Sequence, residues 1–540
     1  MKKNMKKLLA LVLVLAMALT VFAGCGGGDS GSGSGGGTAD DSTLRIRLRT
    51  ALQSADWQQC AVFESSQIIW VQVFEGLYGM DEAHGGYYNL LAKNIDVSED
   101  GLTYTVDLVD ATFQNGDPLT AEDVAYSYGV AMENPRFDYV TSMINNVKAV
   151  DDKTVVITLD YPYSAISHTF WTIKVYSKRE YEEAKANGVE FGTVPHTAGT
   201  GPYIITEYDV SAGLKLKAYE NYWKGAPDIK NVEYRLITED SAAVIAYENG
   251  ELDYLTNVPL SDWDNIKKAA GDNCELIKNN DVLFVGINWA SPTNNNILGN
   301  QKVREAIFYA VNKANIIKAA TSDYGTPAYE YMPSEYVATS PKVSDGKFKT
   351  FDYDKDACHQ ALLDAGYTED EIKAGIDVGT ILTYGTETSE KGKAAVVLQA
   401  CLAENGMKAQ VELGESAPIT ARMYDQDYDI AIYYDSGNYD YNNIRQQLHS
   451  ESKGMYIIRY KADNSPFNWQ RMEELITMGV STADEKERYD IYTELWNMTM
   501  ETATILPLYH SALGVAWSDR IDIGDVNPSF YHITDFSWTE

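Results

Sequence analysis

The sequence predicts an exported α/β protein of two or three domains. Three observations carry this. The amino terminus is basic, then apolar, then glycine-rich; short stretches of two-residue periodicity alternate with stretches of helical periodicity; and about 515 residues remain after the first 24, too many for one core.

Lys2, Lys3, Lys6 and Lys7 form a basic head, and Leu8–Gly24 is an apolar run. That is the shape of a secretory signal peptide, here residues 1–24, because a membrane-crossing helix needs about 20 apolar residues. Ala23-Gly24-Cys25 reads as a cleavage site with Cys25 as the first mature residue. It resembles a bacterial lipobox, in which that cysteine is diacylated and anchors the protein to the outer face of the membrane. Phe22 stands where a lipobox usually carries leucine. Residues 25–42 then form a tether: Gly26 to Gly37 contains no residue that builds a core, and such a coil spans about 20 Å. No second apolar span follows residue 24.

Strands are predicted at "LTYTVDLVD", with Leu102, Tyr104, Val106 and Leu108 on one face, and at "KTVVITLDYP", "LKLKAY" and "NVEYRLIT". Helical spacing appears at Val303, Ile307, Ala310 and Val311, at Ala394, Leu398, Cys401 and Leu402, and at Tyr489, Tyr492, Trp496 and Met500. These stripes read as core faces. Gly406 sits where a helix C-terminal glycine belongs. Asn115-Gly116 marks a turn. Thr120 with Asp123 approaches a capping box, opening a helix whose apolar face is Val124, Tyr128 and Met132.

The formal charge is −34, and −38 once the four lysines of the head are removed. So acidic a body repels nucleic acid and anionic lipid. Cys60, Cys274, Cys358 and Cys401 are scattered, with no C-x-x-C, and leave their pairing open. The seven histidines are far apart, and no H-E-x-x-H, G-x-S-x-G, phosphate loop or dinucleotide fingerprint occurs. No catalytic residue, metal ligand or cofactor is expected. Aromatics, in contrast, are plentiful: 38 tyrosines and ten tryptophans. "YDIAIYYDSGNYDYNN" predicts an alternating strand through Tyr428, Ile430 and Ile432. A loop with Tyr434, Asp435, Asn438, Tyr439 and Asp440 follows it. Rigid aromatics beside carboxylates suit a ligand carrying a cation, amides or hydroxyls; an ordinary strand and polar turn at Ser436-Gly437-Asn438 reads equally well.

Six segments in order resemble a known family: "VFEGLYGMD", "LAKNIDVSEDGLTYTVDLVDATFQNGDPLTAEDVAYS", "GTGPYIITEYDVSAGLKLKAYENYWKGAPDIKNVEYRLI", "YENGELDY", "QKVREAIFYAVNKANII" and "FDYDKDACHQALLDAGYTE". The chain is similar, from about Thr43 to about Ser518, to the extracellular solute-binding proteins of family 5, which include the dipeptide- and oligopeptide-binding proteins of ABC importers. The resemblance implies a two-lobed, type II periplasmic-binding-protein-like fold with a hinge and an extra inserted domain. Domain I would comprise 43–74, 200–297 and 511–540, domain II 75–199 and domain III 298–510. The ligand would lie between domains I and III, and the protein would be a monomer serving a permease and an ATPase.

In peptide binders of this family an aspartate after the "YDI" strand holds the ligand's amino group. Counted without gaps, that place falls on Asn438, beside Gly437 and flanked by Asp435 and Asp440. The aromatic before the loop falls on Asp435, with Tyr434 beside it. Phe63, Glu64 and Ser65 match a segment that lines the cleft, and Tyr139 falls near a tyrosine that reaches the ligand. The expected function is capture of short peptides by a lipid-anchored receptor that does no chemistry. Oligosaccharide or another small solute is the alternative ligand; a peptide-sensing surface receptor and a secreted hydrolase are the alternative roles.

Overall fold

The computed structural model describes residues 42–60, 68–81, 86–334, 337–436, 440–450, 465–524 and 531–539. The signal segment, Cys25, the tether, and the candidates Phe63, Glu64, Ser65, Gly437 and Asn438 lie outside the described residues.

An eleven-stranded mixed sheet runs through the described residues. From one edge the strands are Met407–Gly414, Ile376–Tyr384, Ile430–Ser436, Cys274–Ile287, Ile505–Trp517, Tyr254–Val258, Thr43–Leu48, Asn231–Leu236, Gly213–Ala218 and Tyr203–Asp209, with Thr326–Pro327 added beside Ile505–Trp517. Two strands are unusually long. Cys274–Ile287 and Ile505–Trp517 pair antiparallel from Cys274↔Ala516 to Gly286↔Ile505, with the register breaking between Lys278 and Val282. Residues beyond the break, Val282 to Ile287 and Ile505 to Tyr509, enter a core filled entirely by residues 282–509. Ile277 and Val515, before it, enter a second core built mainly from residues 44–234. A bulge bends its strand and relaxes the ladder, so the two cores are joined by a sheet weakened at their junction.

A separate antiparallel sheet, ordered Ala92–Val97, Thr103–Leu108, Thr154–Leu159, Ile144–Ala149, packs into the second core. Its central strands show the alternation read from sequence: Tyr104, Val106 and Leu108 are buried, as are Val155, Ile157 and Leu159. The helical stripes fall on Gln301–Ala310, Glu390–Glu404 and Glu485–Glu501, except that Val311 is the extended residue just past the first of these helices. Gly406 has a φ of 79°, as a left-handed helix exit requires.

The capping box is complete. Thr120 N–H donates to Asp123 Oδ2 (3.0 Å) and Asp123 N–H to Thr120 Oγ1 (3.4 Å), opening the helix Ala121–Glu133. Replacing Thr120 by alanine is expected to cost about 1 kcal/mol, read as a lower denaturant midpoint. Met132 departs from its expected place and is exposed. It lies about 80° round the helix from Val124, whereas Ala131 lies within about 20° and fills the core instead. The four described cysteines are thiols.

Candidate functional site

Asp429 fixes the strand that carries the site. Its carboxylate accepts the Thr380 N–H (2.9 Å) and the Ser291 hydroxyl, while its carbonyl accepts the Asn288 N–H (2.9 Å). Ile430–Ser436 is thereby held parallel to Ile376–Tyr384 and antiparallel to Cys274–Ile287. Residues 428–433 are all buried, so the expected two-faced strand is a central strand covered on both sides. The strand also runs on through Ser436, which puts Tyr434 and Asp435 on it rather than in the following loop. Because side chains alternate along a strand, the two project to opposite faces.

On one face, Tyr434 OH donates to Glu390 Oε2 (2.7 Å), and Glu390 Oε1 accepts the Ser511 hydroxyl (2.9 Å). Tyr509 OH lies 3.4 Å from Tyr434 OH. Burial raises the Glu390 carboxyl above its ordinary range, against the lowering by the Tyr434 and Ser511 bonds. Next to it, the Lys391 ammonium sits 3.7 Å from the centre of the Tyr384 ring and 5.1 Å from that of Tyr434. Burial brings its pKa down to about 8, with Glu390 and Asp281 opposing that shift and Arg49 adding to it. Lys391 is also the second residue of the helix Glu390–Glu404, where the helix dipole disfavours a cation. A half-buried cation set against the dipole breaks a local rule, as residues at functional sites do.

On the other face, Asp435 Oδ2 accepts both the Gln447 amide (2.8 Å) and the Tyr331 hydroxyl. Tyr331 is wedged between Phe284, stacked at 5.6 Å, and Tyr441, edge-on at 5.9 Å. Around this aspartate the Tyr441 hydroxyl, the Asn442 Oδ1 and the Gln447 Oε1 are buried without a hydrogen-bond partner. Such groups are costly unless something arrives to satisfy them. Asp440 is held differently. Arg488 binds both of its oxygens, at 2.6 and 2.7 Å, and the Asn442 N–H donates to it at 2.8 Å. Tyr331 and Gln447 are neutral donors to Asp435, whereas Asp440 is paired with the Arg488 guanidinium.

Tyr434, Asp435 and Asp440 therefore belong to one neighbourhood at the carboxyl ends of two parallel strands. That is where open α/β sheets place ligands. Tyr139 is half-buried in the short helix Asp138–Thr141, its ring 6.2 Å from that of His168, and burial pushes its hydroxyl up to about 12. The adjoining Arg136 donates to the carbonyls of Gln58 (3.2 Å) and Cys60. Glu390, Lys391, Tyr384 and Ser511 were not singled out by the sequence. Lys391 in a helix's first turn, one short loop after a strand, is the signal that would have found it. A groove of about 570 Å³ between the helices Asp240–Glu248 and Trp263–Ala270 shares no residue with this cluster.

Comparison with known proteins gives the family. The description "Bacterial extracellular solute-binding proteins, family 5 Middle" matches residues 86–454. The glutathione-binding protein GsiB of Shigella boydii is 24% identical over 470 residues, covering 84% of this chain and 86% of that protein. GsiB of Pectobacterium atrosepticum is 29% identical over 360 residues, 64% of each chain. Among solved structures, the oligopeptide-binding protein AppA of Bacillus subtilis in complex with a nonapeptide superposes with a TM-score of 0.76 at 20% identity, covering 92% of this chain and 99% of AppA. NikZ of Campylobacter jejuni in complex with Ni(L-His) gives 0.75 at 20% identity, covering 92% and 100%. These likenesses share the type II periplasmic-binding fold anticipated from the six segments. With more than half of its length matched, the chain belongs to the family 5 bacterial extracellular solute-binding proteins.

Proposed function

We propose that this protein is the lipid-anchored receptor of an ABC importer and captures short peptides. The observation that carries the reading is the placement of opposite charges at the ends of neighbouring strands. Asp435, a carboxylate whose Oδ2 takes the Tyr331 hydroxyl and the Gln447 amide, suits a ligand ammonium. Lys391, over Tyr384 and with no hydrogen-bonded carboxylate among the described residues, suits a ligand carboxylate. A zwitterion with an aromatic-lined backbone between its charges matches both. GsiB relatives are named for a tripeptide, and AppA holds a nonapeptide, which supports the same class.

In this reading residues 43–74, 200–297 and 511–540 form one lobe, 298–510 the other, and 75–199 an inserted domain. The broken register at Lys278–Val282 is the hinge, and ligand bridging the lobes favours the closed form that a permease reads. Cys25 carries the lipid, and Gly26–Gly37 lets the body move above the membrane. To test the function, protein lacking the first 37 residues is purified natively and offered a mixture of short peptides and oligosaccharides, and the retained species are identified by mass spectrometry. Retention of peptides with free termini is the expected result. Retention of sugars, or of nothing from the peptide pool, overturns it.

A further inference from the structure

The two cores touch again outside the long strands. Tyr163 and Ser164 follow the strand Thr154–Leu159 of the small sheet, whose buried residues belong to the amino-terminal core. Ser164 N–H donates to the Val480 carbonyl (2.8 Å), and its hydroxyl reaches the Gly479 carbonyl (3.5 Å). Asn442 Nδ2 donates to Tyr163 OH (3.2 Å) across 279 residues of sequence. Val480 ends the helix Trp469–Ser481, which otherwise packs in the carboxyl-terminal core, yet its own side chain is buried among the residues of the amino-terminal one. These bonds tie the amino-terminal core to the carboxyl-terminal one at a second place besides the main sheet.

One side chain connects them to the binding strand. Arg488 is 8% exposed. Its Nε donates to the same Gly479 carbonyl (3.0 Å), and its terminal nitrogen grips Asp440, which caps Asn442. The bonds form a closed ring: Ser164, Gly479, Arg488, Asp440, Asn442, Tyr163. Asp440 is five residues beyond Asp435. We infer that Arg488 is a positioning residue that couples the ligand-binding segment to an interlobe latch made by Tyr163 and Ser164. The inference rests on the two-lobed receptor reading but on no particular ligand. A ligand held by Asp435 acts, five residues on, through Asp440 on the Arg488 fork, whose Gly479 carbonyl faces Ser164 of the inserted domain. By reciprocity, opening the latch loosens the ligand segment.

Hydrogen exchange of ligand-free protein, followed by mass spectrometry, tests this without any peptide. Arg488→Lys keeps the charge but cannot fork between Asp440 and Gly479. Peptides covering 161–166, in the inserted domain that shares the amino-terminal core, should exchange at least about tenfold faster, with the denaturation midpoint shifted little. Tyr163→Phe, which removes only the hydroxyl on the far side, should speed exchange at residues 440–444. Unchanged exchange at 161–166 in the lysine variant overturns the coupling, and so does a uniform rise across the chain, which marks Arg488 as merely structural. If the lysine variant does not fold, the Tyr163→Phe arm decides alone: no change at 440–444 refutes the latch. Failure to retain peptides would refute the ligand class and leave these exchange results standing.

Discussion

Asp435→Asn is expected to weaken binding of peptides with a free amino terminus by about 100-fold or more, while N-acetylated peptides of the same sequence change by less than about threefold. Removing one partner of a buried, hydrogen-bonded charge pair costs about 2–5 kcal/mol, and each 1.4 kcal/mol is about tenfold in affinity. Gln447 and Tyr331 both donate to the same oxygen, Oδ2, so an asparagine that keeps its carbonyl there keeps both bonds. Those two bonds then survive the loss of charge. Calorimetric titration of the free and acetylated forms reads the difference. An equal loss for both, or no loss for either, would show that Asp435 does not meet an ammonium. Asp440 is a poorer candidate because Arg488 already holds both of its oxygens. Asp440→Asn would strand that guanidinium with 8% exposure and show mainly as lost stability.

What the sequence revealed about this molecule follows the range of the forces involved. Thr120 and Asp123 are three residues apart, so their reciprocal bonds were legible and are present. The stripes at Val303, Ala394 and Tyr489 report a period that no tertiary contact alters, and all fall on helices. The strand beginning at Ile430 was found, but its end was placed too early: the loop expected at Tyr434 and Asp435 is still strand, which runs to Ser436. Its place between Cys274–Ile287 and Ile376–Tyr384 is a property of sheet order, which local pattern does not encode. The same limit applies to the site. Density of tyrosine and aspartate pointed to Tyr434 and Asp435. Their partners Glu390, Ser511, Tyr331 and Gln447 come from four other segments, brought together only by crossovers. Arg488 and Asp440 are 48 residues apart on separate elements, and neither announces the other.

The Lys391 amine gives the second large effect, and it is visible in pH. In the ligand-free protein burial holds its pKa down to about 8, although Glu390 and Asp281 pull it upward. A ligand carboxylate favours the ammonium and raises that pKa in the complex. Affinity is then constant below about pH 7, where the amine is charged with or without ligand. It falls by about tenfold per pH unit from about 8 up to the higher pKa of the complex, because binding there must take up a proton. The ligand's own amino group, with a pKa of about 7.7–8.0, loses its charge in the same window and weakens contact with Asp435. Comparing each peptide acid with its carboxyl-terminal amide separates the two: the amide retains the amino-group dependence and lacks the Lys391 part. Lys391→Met should weaken the acid by about 10–100-fold at pH 7, in line with about 1.5–3 kcal/mol for a hydrogen bond to a charged group. It should leave the amide nearly unaffected and make the acid's profile follow the amide's. If acid and amide already share one profile in the unaltered protein, no carboxylate meets Lys391. Its place over Tyr384 would then be a packing contact alone.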